Sequence, residues 1–502
     1  MKGALFCVLF FLVPAELLSF SLQKHFYLRV TRLDSQNGEN QLDCVEADFM
    51  DSALATEGTL GSDGLLGVQA MGKRKSKAAS VWETFGEVAA TTQASNLGQG
   101  FPDWKPPQFM LDSLQEAIGT DFHQYTRPAG HPPLVKLLGE RYSKHFQRTV
   151  NPMDEVAVTV GASQALFLSF MTLLKPGDEV VMFEPFFDLY KKQLKAVEPL
   201  AVPKYVRLGG SSNPRTTESD PWALDIEALD SAITDKTKIL LLNSPHNPTG
   251  KVFTKKEYEA IAEIVRKRPN LVVISDEVYK FSVYNAIEEG DETSLGHYHF
   301  ARFPDMFDRT ITLSSCGKTF SVTGWQVGWM VGPSRFVKPI HDILPCVQFC
   351  TSTPVQHALQ IALQEADKPY MGKSNYYEWL RGQFSSKRLI LERGLLAAGL
   401  KPLPSQGGYF LMTILPNNHP LVPEGEEPYD WRFCRMFAEK YGVVGIPSSS
   451  FFSESEAEAD DTNSDCEKTW YARFAFCKKD KTMLEASERL ENAAAKFNIE
   501  RQ

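Results

Sequence analysis

Positive charge is the first thing this chain has little of. Its 53 Lys and Arg are outnumbered by 62 Asp and Glu over 502 residues, a formal charge of -9. An acidic chain carries no electrostatic footprint for nucleic acid, so no DNA or RNA partner is expected. Organised cysteine is also missing. The eight, at 7, 44, 316, 346, 350, 434, 466 and 477, form no Cys-x-x-Cys pair, which leaves neither a zinc ligand set nor a disulfide framework in the spacing. They read as free thiols in a reducing compartment, and no metal is expected. No Asn-x-Ser/Thr acceptor occurs, because Asn247-Pro-Thr249 is barred by its proline. That speaks against a secreted product.

Long apolar runs are absent too. The segment Ala4 to Val13, behind Met1-Lys2 and broken by Pro14 and Glu16, falls well short of the roughly 20 residues a membrane span needs. It has the charged start and short apolar core of a cleaved signal sequence, so residues 1–22 are read as a presequence and no stable membrane association is expected once it is removed. Residues 23–78 are rich in Ser, Gly and Asp, end in Lys73-Arg-Lys-Ser-Lys77, and read as a disordered linker. Between Leu33 and Asp63 there are eight acidic residues and no Lys or Arg. A simple organellar transit peptide is poor in acid; a two-step presequence into a mitochondrion or plastid accommodates both features, with the cytoplasm as the alternative.

What is there is ordinary globular material, 43% hydrophobic and long enough for one large core with a smaller domain beside it. A helix is predicted at Val81 to Phe85. Apolar runs at Glu155 to Val160, Glu179 to Phe183, Lys238 to Asn243, Leu271 to Ser275 and Thr310 to Leu313 read as strands alternating with helical stretches. That spacing predicts an α/β fold with a mainly parallel sheet flanked by helices. Thr254-Lys-Lys-Glu257 is a capping box that should open one of those helices. Beyond about residue 376 the pattern turns to antiparallel β and helix, with strands at Tyr409 to Leu415 and Trp470 to Phe476 and a closing helix from Lys481 to Phe497. The predicted division is 116–375 for the large domain and 79–115 with 376–502 for the small one. Glu454 to Asp465 reads as a solvated acidic loop.

Chemistry gathers where strands end. Ser314 to Gly328 follows the strand at Thr310 and carries Gly317-Lys318 in the turn. An amine held there among small and apolar residues loses hydration, which lowers its pKa and suits it to Schiff-base formation. Ser315-Cys-Gly-Lys318 also fits the Ser-x-x-Lys pattern of serine β-lactamases, but the companion tripeptides Ser-Asp-Asn and Lys-Thr-Gly are absent. Gly161-Ala162-Ser163 joins a strand to a helix start, where free amides and the helix dipole favour an anion such as phosphate. Phe186 and Phe187 leave the next strand on the rim where a flat ring could stack. Asn247, Asp276, Tyr279, Ser315 and Lys318 stand at successive strand ends and outline one site. Gly98-Gln-Gly100 is not a dinucleotide fingerprint, since no third glycine follows; its glycines allow close backbone approach to a ligand. Arg473, between aromatics on a late strand, needs a carboxylate from the protein or from a substrate.

Six ordered stretches resemble the class I pyridoxal-phosphate aminotransferases of fold type I, over about residues 80 to 500. They are Asn96-Leu-Gly-Gln-Gly-Phe-Pro-Asp103, Glu184-Pro-Phe-Phe-Asp188, Asn247-Pro-Thr-Gly-Lys251, Asp276-Glu-Val-Tyr279, Gly317-Lys-Thr-Phe-Ser321 and Tyr471-Ala-Arg-Phe474. Within that class they look like the kynurenine aminotransferase, glutamine transaminase K and cysteine-S-conjugate β-lyase type. The resemblance implies pyridoxal 5'-phosphate bound covalently to Lys318, which then shuttles the substrate proton. It implies Asp276 on the pyridinium nitrogen, Tyr279 and Asn247 on the ring oxygen, and Phe187 stacked on the ring. Ala162, Ser163 and Ser315 would hold the phosphate. Arg473 would clamp the substrate α-carboxylate with help from Asn247 and Gly100, and Trp82 would line the side-chain pocket. Tyr125 would reach the cofactor of a second subunit, which implies a homodimer. The implied reaction moves an amino group from kynurenine, glutamine or another aromatic or sulfur amino acid to a 2-oxo acid. The alternatives are carbon–sulfur β-elimination and a non-catalytic cofactor-binding homologue or regulator. Two positions depart from the pattern: Gln326 stands eight residues after the lysine where the family usually has Lys or Arg, and Cys350 stands where a His follows the aromatic matching Phe349.

Overall fold

The computed structural model describes residues 80–197, 201–210, 213, 215–284, 296–453 and 469–499. The presequence, the linker and the acidic loop named above lie outside them. Seven strands form the central sheet: β1 Val156–Val160, β2 Asp178–Glu184, β3 Ala201–Arg207, β4 Thr237–Asn243, β5 Val272–Asp276, β6 Thr310–Ser315 and β7 Val327–Val331. They lie in the order β1-β7-β6-β5-β4-β2-β3. All neighbouring pairs are parallel except those made by β7, which is antiparallel to β1 and to β6.

The strands read as continuous apolar runs because both faces of the sheet are buried. With side chains alternating along each strand, Val180, Met182, Ile239, Leu241, Ile274 and Ile311 enter one core. Their neighbours Val181, Phe183, Leu240, Leu242 and Val273 enter another. Helix α2, Gly161–Leu173, covers the first face with Leu166 and Phe170. Helix α4, Lys255–Arg266, covers the second with Tyr258, Ile261 and Val265. The predicted capping box is present at its start, with Thr254 and Glu257 capping each other's backbone amides.

A second, antiparallel sheet contains β8 Lys401–Pro402, β9 Phe410–Ile414, β10 Ile446–Pro447 and β11 Tyr471–Ala475, ordered β10-β11-β9-β8. Arg473 is at its centre, opposite Met412 on one side and Ile446 on the other. Helix α6, Asp480–Ile499, buries Met483, Ala486 and Leu490.

Three expectations need correcting. The predicted one-turn segment at Val81 is the start of a full helix, α1, Val81–Thr92, launched by a Ser80–Glu83 capping box. The strand predicted to close at Ser275 runs one residue further, to Asp276, because the Asp276 backbone still pairs with Asn243 and Leu313 in the ladder. Lys318 is not in a loop. It belongs to a one-turn helix, α5, Cys316–Thr319, whose first turn is capped by the Ser315 hydroxyl accepting from the Gly317 amide. Among the described residues, the cysteines at 316, 346, 350, 434 and 477 are free thiols, as their spacing suggests. No helix among them is long and apolar enough to cross a membrane.

Candidate active site

The parallel strands end together. Asn243 pairs with Asp276, Asp276 with Leu313, and Ser315 with Gly328, so the C-terminal ends of β4, β5 and β6 meet the start of β7 on one rim. That rim is where an open α/β sheet leaves room for a ligand. A cavity of about 310 Å³ opens there. It is lined by Trp82, Gly100, Ala162, Ser163, Phe187, Asn247, Asp276, Tyr279, Ser315, Lys318 and Arg473. Three site residues singled out in the sequence are not in this lining: Gly98, Phe186, which is buried in the core, and Tyr125, which is 80% exposed with its ring 4.5 Å from that of Phe349.

Asp276 is buried at the floor. Its Oδ2 accepts the Tyr190 hydroxyl at 2.7 Å and its Oδ1 accepts the Val278 amide at 3.3 Å. Burial pushes its carboxyl up to about 6, although the Tyr190 and Val278 hydrogen bonds and the Lys318 charge pull the other way. Lys318 is half-buried and makes no hydrogen bond or ion pair to protein among the described residues. Desolvation lowers its amine below the usual lysine range, with Arg473 adding repulsion and Asp276 opposing. The Tyr279 ring meets Tyr409 edge-on at 5.0 Å, and the Tyr409 hydroxyl donates to the Gly100 carbonyl at 2.9 Å.

Arg473 is 1% exposed and has no carboxylate in ion-pair range among the described residues. Its Nη1 donates to Asn247 Oδ1 at 3.0 Å and its Nη2 to the Gly98 carbonyl at 2.9 Å, while its Nε is buried without a partner. Three rings surround it: Phe410 at 4.1 Å, Trp82 and Phe451 at 5.0 Å. Burial pushes its guanidinium down to about 10. A desolvated cation with dipoles but no counter-charge is arranged to receive an anion.

At the other end, α2 starts at the cavity with Gly161 at φ +70°. A Cβ there would lie 2.8 Å from Gln326 Oε1, and one on Gly328 would lie 2.4 Å from the Ala162 amide nitrogen. Only glycine permits both the turn and this close approach. No side chain caps α2, and Ala162 and Ser163 of its first turn line the cavity, a setting that suits a phosphate. Gln326 lines this end, its side-chain amide donating to the Thr323 carbonyl.

Three contributors went unread in the sequence. Tyr190 stands one turn into a helix whose burial pattern looks like ordinary core. Asn243 accepts the Asn247 amide at 2.7 Å and donates to the Asp276 carbonyl at 2.9 Å, so it fixes the loop to the strand end. Glu277 is the third. It points away from the cavity and is held by His299 and by His297, at 3.2 Å, both fully buried. Burial raises that carboxyl but the imidazoles outweigh it, leaving Glu277 well below the carboxylate range. A His-x-His pair twenty residues downstream was the available signal.

A partnerless amine beside a desolvated carboxylate, facing a guanidinium that lacks a counter-charge, defines a group-transfer enzyme acting on small zwitterions. The family model "Aminotransferase class I and II" matches residues 92–458, and the chain belongs to that family. It is 38% identical over 428 residues to a kynurenine–oxoglutarate transaminase of Dictyostelium discoideum, covering 82% of this chain and 93% of the relative. Identity to kynurenine–oxoglutarate transaminase 1 of Homo sapiens is 35% over 417 residues, 82% of this chain and 94% of the relative. Among solved structures, the N-succinyldiaminopimelate aminotransferase of Mycobacterium tuberculosis superposes with a TM-score of 0.70 at 35% identity. That match covers 83% of this chain and 97% of the other.

Proposed function

We propose that this aminotransferase moves the amino group of kynurenine or another aromatic or sulfur-bearing amino acid to a 2-oxo acid, using pyridoxal 5'-phosphate. The observation that carries it is Arg473, a buried guanidinium with an unpartnered Nε, walled by Trp82, Phe410 and Phe451. It suits an α-carboxylate whose side chain is large and apolar. The names of the relatives above support kynurenine. The succinyldiaminopimelate enzyme, with a TM-score of 0.70, shows why fold alone does not choose the substrate.

The cavity fits the cofactor. The open Ala162 and Ser163 amides suit a phosphate dianion, the Asp276 carboxylate a ring cation, and the Lys318 amine an aldehyde. Such a cofactor supplies an electron sink for the pair left at the substrate Cα when its proton departs. The chain's own residues do the rest. Asp276, steered by Tyr190, keeps a negative charge at the floor. Asn247 and Tyr279 present polar groups to a ring oxygen, Phe187 covers the ring face, and Ser315 adds its hydroxyl at the phosphate end. Arg473 orients the substrate by its carboxylate. Lys318, whose amine desolvation lowers toward the neutral form, takes the Cα proton as base and returns it as acid. In the same reading two copies associate and Tyr125 serves the partner's site, with 116–375 as the large domain and 79–115 with 376–502 as the small one. Residues 1–22 would direct the chain to an organelle.

The test is incubation of purified holoenzyme with kynurenine. Kynurenic acid formation that depends on added 2-oxo acid, and is lost in Lys318→Ala, is expected. Pyruvate released from a cysteine S-conjugate without 2-oxo acid, and no kynurenic acid, would make β-elimination the principal activity instead.

A further inference from the structure

Trp82 approaches Arg473 from α1, and one contact outside the cavity fixes where its ring sits. Its indole Nε1 donates to Asp188 Oδ2 at 2.9 Å. Asp188 is the first residue of α3, Asp188–Ala196, 7% exposed, and the same oxygen accepts from Lys192 one turn later. The Lys192 side chain is 54% exposed and can satisfy itself in water; the indole N–H of half-buried Trp82 finds its acceptor in Asp188. Its acceptor is therefore the group that orients the aromatic wall next to the guanidinium. Indole N–H is a donor only, so a buried or half-buried Trp needs such an acceptor to hold one ring orientation.

We propose that Asp188 is a positioning residue that acts through Trp82. By fixing the indole, it shapes the wall against which an aromatic side chain packs while Arg473 holds the carboxylate. This rests on the reading of the cavity as an aromatic amino-acid site, and it predicts effects on binding rather than on the proton transfer at Lys318. Orientation of a wall is felt equally by bound substrate and transition state, so it appears in KM and not in kcat.

The experiment uses holoenzyme and two readouts. Calorimetric titration with 3-phenylpropionate, an aromatic carboxylate that cannot react, gives a Kd without turnover; steady-state kinetics with kynurenine gives KM and kcat. Asp188→Ala should weaken 3-phenylpropionate about tenfold, the factor that corresponds to about 1.4 kcal/mol. It should raise KM by a similar factor while kcat stays within about threefold. Trp82→Phe removes the donor from the other end and should do the same. The double variant should be no worse than either single one, since both break one contact. Asp188→Asn keeps an acceptor for the indole and should recover most of the affinity, and it covers the case in which Asp188→Ala does not fold. Lys192→Met should leave both constants near wild type. An unchanged Kd in Asp188→Ala, multiplying effects in the double variant, or a Lys192→Met defect equal to that of Asp188→Ala overturns the proposal. Failure of wild type to bind 3-phenylpropionate overturns it too. Wild type that binds the probe but forms no kynurenic acid would instead overturn the kynurenine assignment and leave the positioning role standing.

Discussion

Replacing Asp276 with Asn should stabilise the cofactor-free protein and destabilise the cofactor-bound one. In the cofactor-free chain, burial raises this carboxyl from an ordinary 3.8 to about 6. A raised carboxyl binds its proton more tightly folded than unfolded, so folding is penalised as pH climbs from the unfolded value through the folded one. At 1.36 kcal/mol per pH unit, a rise from 3.8 to about 6 amounts to roughly 3 kcal/mol, fully expressed above pH 7 and about half of it already present at pH 5. Asn matches the neutral acid in shape, and its Oδ1 can accept the Val278 amide while its Nδ2 donates to the Tyr190 oxygen, so Asp276→Asn removes the penalty without opening a cavity. Thermal unfolding of the two cofactor-free proteins should therefore diverge as pH rises from 5 to 8, with the variant the more stable. Saturating pyridoxal phosphate should reverse the order, because a ligand at 1,000 times its Kd adds about 4.1 kcal/mol, more than the penalty, and only the carboxylate can pair with a ring cation. A cofactor-free variant no more stable than wild type at pH 8 would refute the reasoning. It would mean that water or Lys318 already compensates the charge.

Tyr190→Phe takes away a hydrogen bond that holds the Asp276 carboxyl down; the acid limb of the activity profile should move to higher pH, read from kcat/KM against pH. Arg473→Ala should lower kcat/KM for amino acids by about 2 to 5 kcal/mol equivalent, the usual effect of truncating a buried charged contact, and unchanged kinetics would move the carboxylate site elsewhere. Gln326→Lys brings a cation to the end of the cavity where Gly161 turns, and should tighten cofactor binding up to about tenfold for each 1.4 kcal/mol gained. Equal cofactor retention on dialysis would show that the neutral amides suffice.

Much of the site was legible because its residues mark strand ends. A strand with two buried faces is a run of Val, Ile and Leu, so polar residues close to its end are conspicuous: Asn247 four residues past β4, Asp276 at the end of β5, Lys318 three residues past β6. Strand and helix periods, the Thr254–Glu257 cap and the turn at Gly161 are local properties of the chain, and they determined the α/β class and the outline of the rim by themselves. The tertiary structure decided the rest. Tyr190 and Asn243 belong to the site through contacts across 86 and 33 residues of sequence, and nothing near them in the chain distinguishes them from core. Arg473 looked as though it needed a carboxylate; only packing against Asn247, Gly98 and three rings showed that the protein withholds one. Trp82 reaches Asp188 across 106 residues. Desolvation itself is a property of the assembled fold, since the burial that raises Asp276 and lowers Lys318 exists only once α2, α3 and the second sheet enclose the strand ends.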